Sequence, residues 1–413
     1  MAKSVQVGSF GENMRFMLRA FRGRNYVLFF MGQGLSLIGT WMQNTALPLL
    51  AYQMRGQTSD LGMVGFFSAI PGFLIGPFAG VFSDRWNRRK VLMVTQALSL
   101  VQAAVLAALT LSGTIQIWHV MALGAFLGMI GAFDIPTRQS FVVQMVEDKE
   151  HLPNAIALNS MVNNMARVVG PGIAGFMISY SISSAYFGEF LFFTAATQTL
   201  FRLRLNQQAP PRREPVLKGV RLGFRYVLEH RTLLRLTLLQ AIPSFLIYPY
   251  IQMVPNIAKN YLHVGAGGYG WLQTGVGIGS LVSALVVASF ANVERKGAIA
   301  SIALLAYMSM ILAFSFSRTY VLSLFALIFA GMGLVVFSTF NQTLLQLNVE
   351  DEFRGRVLSL YTMSQGLNPF GSLLMGFIAE KYLGAPHAIA LFCGVALVLT
   401  FVSGIASKEV RSL

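Results

Sequence analysis

The chain has 413 residues, 55% of them hydrophobic and only 11% charged, with a mean hydropathy of +0.60. Soluble domains carry about 25% charged residues, so a water-soluble globule is excluded. The single cysteine, Cys393, excludes an internal disulfide and a Cys/His metal cluster.

Residues 10–24 read as a short amphipathic lead-in on the inner membrane surface. The apolar run that follows is too long for a cleaved signal peptide. A membrane span needs roughly 20 apolar residues. Twelve runs meet that measure, near 26–50, 61–83, 91–112, 117–138, 154–179, 185–204, 233–257, 268–290, 298–317, 320–345, 356–380 and 387–406. With both termini cytoplasmic, only Arg55, Lys259, Arg318 and Lys381 of the 31 lysines and arginines fall outside, and Arg167 falls within a span. This positive-inside bias fixes the orientation. It also assigns the net charge of +15 to topology and anionic lipid headgroups, not to nucleic acid.

Span 1 carries Gln33, Trp41 and Asn44. In span 2, Gly72, Gly76 and Gly80 recur every fourth residue and leave one helix face as bare backbone. A burst of charge follows, with Asp84, Arg85, Arg88, Arg89 and Lys90, and Asp84 and Arg88 stand one helical turn apart. His119 opens span 4 as an interface residue. The same span carries Phe126 and Met129 and ends in Asp134, whose i+4 neighbour is Arg138. Span 5 holds Asn159, Asn163 and Asn164, then Arg167-Val168-Val169-Gly170-Pro171-Gly172, with Gly175 beyond. Pro171 removes a backbone hydrogen bond and favours a kink. Arg167 lies about 20 Å along this helix, near the midplane, where a charge is costly and marks a functional site by default. It either binds an anionic or oxygen-rich part of a substrate or braces the kink. Glu189 in span 6 is the acid that lies well inside the outer half of a span. Burial disfavours the charged carboxylate, so Glu189 is a candidate to carry a coupling proton, as is Asp134. The other reading places Glu189 in a watery outer vestibule.

Residues 205–231, with three prolines and several charges, form a cytoplasmic linker between residues 1–204 and 232–413. Span 7 carries Gln240, Tyr248 and Gln252 among Pro243, Pro249 and Pro255, which predict a bent helix. Span 10 carries Phe337, Phe340 and Asn341. The two parts repeat at one constant offset: Gly62, Gly65, Gly72 and Gly76 match Gly265, Gly268, Gly275 and Gly279, and Val146-Glu147-Asp148 matches Val349-Glu350-Asp351. The expected architecture is all-α, two pseudo-symmetric six-helix bundles with the substrate site between them.

The run G-x-x-x-D-R-x-x-R-R-K from Gly80 to Lys90 resembles motif A of the major facilitator superfamily. The resemblance implies a gate at the inner side. Asp84 would face the N-terminus of span 11 and Arg88 would pair with Asp134, although Arg138 is an equally local partner for that acid. Asp84 corresponds to Val287 in the second half, so the gate is one-sided. The Gly170-Pro171 segment resembles motif C of superfamily antiporters, with the family's final glycine pair spread to Gly172 and Gly175. The fold would bring it against span 8, at Gly275, Gly277 and Gly279. Spans 1, 4, 7 and 10 would line the cavity with Gln33, Trp41, Asn44, Phe126, Met129, Gln240, Tyr248, Gln252, Phe337 and Asn341, joined by Asn163 and Arg167. Aromatic and methionine surfaces with scattered amides suit bulky amphipathic ligands.

Asp134-x-Pro136-x-Arg138-Gln139, Asn154-Ala155 and Arg354-Gly355-Arg356-Val357 resemble a bacterial branch that contains the enterobactin exporter and macrolide-type efflux proteins. That resemblance implies a monomeric, multi-pass exporter of the bacterial inner membrane, driven by the proton gradient and without a cofactor. Its partners would be a small-molecule substrate, protons and lipids. Drug-type efflux and dedicated siderophore export both fit, and uptake is not excluded. A membrane enzyme or non-transporting receptor is the contrasting class. Neither a paired catalytic motif nor a GxxxxGK[ST] phosphate loop is present to support an enzyme or an ATP-driven pump.

Overall fold

The structure, a computed structural model, describes residues 24–145, 152–202, 216–289, 295–350 and 353–405. Among these residues every regular element is helical. The first half contains α1 (Arg24–Arg55), α2 (Thr58–Arg85), α3 (Arg88–Leu111), α4 (Ile117–Met145), α5 (Leu152–Tyr180) and α6 (Ile182–Phe201). A short amphipathic helix, α7 (Val216–Glu229), lies within the expected linker, of which residues 205–215 lie outside the described residues. The second half contains α8 (Arg231–Leu246), α9 (Tyr250–Asn260), α10 (Ala266–Ser289), α11 (Lys296–Phe316) and α12 (Tyr320–Leu347). It ends with α13 (Arg354–Gln365), α14 (Asn368–Ile378), a π-helical turn (Ala379–Leu383), α15 (Gly384–Thr400) and a second π turn (Phe401–Ile405).

These elements are the twelve spans. Span 7 is α8 plus α9, interrupted at Ile247–Pro249, as its prolines predict. Span 11 is α13 plus α14, and its break at Gly366–Leu367 was not expected. Pro369 opens the second piece, where a missing N–H costs nothing. Eight described segments are long and apolar enough to cross a membrane, and one of them, Arg354–Ser403, holds spans 11 and 12 together. Helices α1, α5 and α6 fall short of that measure because polar residues such as Gln43, Asn163, Arg167, Glu189 and Gln198 dilute their hydropathy.

Asn87 caps α3, its side chain accepting from the Lys90 N–H at 3.1 Å, and Ser181 caps α6 by accepting from the Ser184 N–H at 3.1 Å. Gly56 turns α1 into α2 with a φ of 69°, a conformation that L side chains rarely adopt.

Among the described residues the apolar core is continuous across the two halves toward the outer side. One cluster joins Met42, Leu50 and Tyr186 of the first half to Ile257, Tyr269 and Leu304 of the second. Toward the inner side the core divides. Tyr26, Phe29, Leu92, Phe141 and Leu200 form one cluster within the first half. Leu233, Leu344, Val357 and Tyr361 form another within the second half, which α7 joins through Tyr226 and Val227. The Tyr226 ring stacks on Phe353 at 4.2 Å. Among the described residues the buried apolar contact between the halves thus lies at the outer side, while at the inner side α2 touches α7.

Candidate functional site

Two seams join the halves. The first sets α5 against α10. A Cβ added to Gly175 would lie 2.7 Å from the Gly270 Cα, and one added to Gly277 would lie 2.7 Å from the Arg167 carbonyl oxygen. Only glycine permits this approach. Pro171 has no N–H, so it leaves the Arg167 carbonyl without its usual helical donor, and Gly277 packs there. The Thr274 hydroxyl donates to the next carbonyl, Val168, at 3.1 Å, and a Cβ at Gly172 would lie 3.3 Å from that hydroxyl. Span 8 is therefore the partner of the Gly-Pro segment, as expected, but of the three expected glycines only Gly277 meets it, joined by Gly270. Gly275 and Gly279 instead turn to Leu324 and Ile328 of α12.

The second seam sets α2 against α14. A Cβ at Gly62 would lie 2.9 Å from the Gly376 Cα. Above it, Glu380 Oε2 accepts from the Thr58 N–H at 2.6 Å and from the Thr58 hydroxyl at 2.9 Å. Nearby, the Tyr52 hydroxyl accepts from Asn256 Nδ2 at 2.8 Å and Asn260 Nδ2 at 2.6 Å, and Tyr269 donates to the Thr45 carbonyl at 3.0 Å. These bonds all cross between the halves at the outer side.

At the inner end of the first seam stands Arg167. Its guanidinium carbon lies 4.9 Å from the centroid of the Trp41 ring on α1. Tyr248, within the α8–α9 break, and Tyr250, at the start of α9, are within electrostatic range. Gly170 gives α1 room to approach, since a Cβ there would lie 2.5 Å from the Trp41 Cβ. Of the expected cavity residues, Asn44 and Met129 are exposed, while Trp41, Phe126, Asn163, Tyr248 and Gln252 are half-buried. Asn163 Nδ2 donates to the Asn159 carbonyl one turn back.

Four expected cavity residues are corrected by their burial. Gln33, Gln240, Phe337 and Asn341 are sealed within the bundles. Gln33 bonds Asn159 and ties α1 to α5. Gln240 Oε1 accepts from the Tyr361 hydroxyl at 2.9 Å, and Asn341 Nδ2 donates to the Leu236 carbonyl at 3.1 Å. Their amides are used to hold helices together, because a buried amide without partners is costly.

The inner-gate residues are distributed differently from the expectation. The side chains of Gly80, Asp84 and Arg85 lie outside the described residues, although α2 runs helically through all three. Asp134 does not pair with Arg88. Its Oδ2 accepts from Arg138, Nη2 at 2.7 Å and Nε at 2.8 Å, while Oδ1 accepts from the Thr95 hydroxyl at 2.7 Å and Gln96 Nε2 at 3.3 Å. Arg138 also reaches Ser36 at 3.3 Å. The i+4 geometry wins because both side chains leave the same helix face, and the node then ties α4 to α3 and α1. Arg88 Nη1 donates to the Ser140 carbonyl at 3.4 Å, and Arg89 Nη2 to the Phe201 carbonyl at 3.2 Å near the C-terminus of α6, where a cation suits the helix dipole.

Glu189 is not in a vestibule. It is 1% exposed, and both carboxyl oxygens lack a hydrogen-bond partner, as does the neighbouring Tyr186 hydroxyl. His119 sits at the start of α4, where its Nδ1 accepts from the Gln116 N–H at 3.0 Å. The sequence reading passed over Thr58, Glu380, Tyr52, Asn256 and Gly270. Glu380 offered a signal, an acid at the outer end of an apolar run, but its partner lies 322 positions away.

The family described as transmembrane secretion effector matches residues 18–411 of the chain. The staphyloferrin A transporter of Staphylococcus aureus (strain NCTC 8325 / PS 47) is 25% identical over 86% of this chain and 89% of its own. The multidrug efflux pump Tap of Mycolicibacterium fortuitum is 24% identical over 92% of this chain and 93% of its own. Among solved structures, a mutant of the nucleoside transporter NupG superposes with a TM-score of 0.76 over 92% of this chain and 100% of its own, at 12% identity. That last likeness concerns the fold alone.

Proposed function

The chain belongs to the transmembrane secretion effector family of the major facilitator superfamily, and from that premise we propose that it exports amphipathic small molecules in exchange for protons, by alternating access. It is a multi-pass transporter of the bacterial plasma membrane and not an enzyme. One observation carries the reading of the transport cycle. The core and the two glycine seams join the halves at the outer side, while the buried inner clusters of the described residues each stay within one half. Opening of the inner side would present Arg167 and Trp41, which meet between the halves, to the cytoplasm, and that is the state in which an exporter loads. Support for proton exchange comes from Glu189, a carboxyl sealed inside the first bundle without a partner. An ionised group there would be costly, so exchange of its proton must accompany a change of conformation.

A second reading, dedicated siderophore export by the same mechanism, is favoured by the similarity to a staphyloferrin A transporter. Proteoliposomes loaded with a fluorescent amphipathic compound test the first reading. Movement toward the outer-facing side should accelerate when that side is made acid. Transport driven by sodium and indifferent to pH gradient and voltage would overturn the proton coupling. Competition by staphyloferrin A, with none by drug-type compounds, would select the second reading.

A further inference from the structure

We infer that Arg167 and Trp41 form a subsite for a carboxylate attached to an aromatic or otherwise apolar body, an inference that rests on the exporter reading and narrows its substrate class. Arg167 is a charge deep in the membrane whose counter-charge is not supplied by the described residues. Among the described residues no acid forms an ion pair with it. Asp134 is paired with Arg138, Asp60 lies 3.5 Å from Arg55, and Glu380 is bound to Thr58. Glu189 makes no hydrogen bond or ion pair with any described residue.

The Arg167 guanidinium makes no hydrogen bond among the described residues, yet none of its nitrogens is a sealed, unsatisfied atom. The residue as a whole is half-buried. Trp41 occupies one position against the planar group at 4.9 Å, a cation–π arrangement that partly offsets the cost of the charge. The N–H edge remains for a ligand. A guanidinium edge matches the two oxygens of a carboxylate in a bidentate fork, which a lysine could not reproduce. The surroundings set the rest of the ligand. Trp41 lies on one side and Tyr248 on the other half of the molecule, and both are half-buried. An apolar or aromatic body would lie between these rings while its carboxylate met Arg167.

The location couples occupancy to the transport cycle. The backbone of Arg167 is part of the α5–α10 seam, where Gly277 packs on its carbonyl. Its side chain reaches α1, and its electrostatic neighbours Tyr248 and Tyr250 lie in the break between α8 and α9 and just after it. A bound anion would therefore touch both halves beside the α5–α10 seam.

Purified full-length protein in detergent tests this with two probes of nearly equal shape, 2-naphthoate and its methyl ester, titrated by calorimetry. A charge-assisted hydrogen bond contributes about 1.5–3 kcal/mol, so the acid should bind about tenfold or more tightly than the ester. Arg167→Gln should bring the two within about twofold, chiefly by weakening the acid, and Arg167→Lys should retain only part of the preference. Inorganic phosphate should compete weakly, because it lacks the apolar body. Equal affinity of acid and ester in the unmodified protein would overturn the inference without any variant. So would an unchanged preference in Arg167→Lys or Arg167→Gln, or phosphate competing as well as naphthoate. If this subsite fails while neutral compounds are still exported from proteoliposomes, the exporter reading survives. Loss of all transport would strike that reading instead.

Discussion

Glu380 caps a helix in the opposite bundle. Its Oε2 lies 2.6 Å from the backbone nitrogen of Thr58, the first residue of α2, and also accepts from the Thr58 hydroxyl. The N-terminus of a helix presents unpaired N–H groups and a positive dipole end, so a carboxylate is well placed there. This bond holds α2 to the end of span 11 on the outer side, and it must break for the outer side to open.

Glu380→Gln is expected to loosen that closure. The amide keeps an acceptor but loses the charge, and a charge-assisted bond contributes about 1.5–3 kcal/mol. The population with an open outer side should rise about tenfold or more on the same basis. Spin labels at Gln57 and Tyr382 would report it as a longer distance component. A distance distribution unchanged from that of the parent protein would remove the latch assignment.

Gly175→Val is expected to prevent outer closure. The Gly270 Cα would lie 2.7 Å from the new Cβ, and both sides of that contact are backbone, which cannot swing away. Insertion and span count should be normal, because only the seam is affected. Transport should fall to near background, with outer-side cysteine probes labelling faster. Wild-type transport with normal labelling would show that the seam does not need to close.

Asp134→Asn is expected to destabilise the first bundle. It leaves the largely buried Arg138 without its counter-charge, and removing one partner of a fully buried pair costs about 3–5 kcal/mol. The pair retains some solvent contact, so the loss should be smaller, about 2 kcal/mol. Adding Arg138→Gln should restore part of the thermal stability, because the stranded charge is then gone. A double variant less stable than Asp134→Asn alone would mean that Arg138 acts mainly through other contacts, such as Ser36.

Glu189→Gln mimics the protonated carboxyl in a site that offers no hydrogen-bond partner. The fold and substrate binding should be retained. Uphill export driven by a pH gradient should be lost, while downhill exchange of substrate persists. Full gradient-driven export by the variant would take the proton from this residue.

The sequence by itself determined the class, the positions of the spans and their orientation. Each of these depends on local quantities: the length of an apolar run, the side on which cations fall, and prolines such as Pro249 that interrupt a helix wherever they stand. It also marked Gly170-Pro171-Gly172 and span 8 as surfaces for close approach. Only the tertiary structure decided which face of each helix was used. Gly270 and Gly277 meet α5, while Gly275 and Gly279 meet α12. Gln240 and Asn341 turn into the bundle, and Asp134 turns to Arg138. The physical reason is that a membrane span is apolar all round, since lipid and protein interior have similar polarity. The alternation that reveals the buried face of a soluble helix is therefore faint. Rotation about each helix axis is set instead by small-residue contacts and polar bonds to distant positions. The bond of Glu380 to Thr58 is of this kind, formed only when two bundles close on the same side.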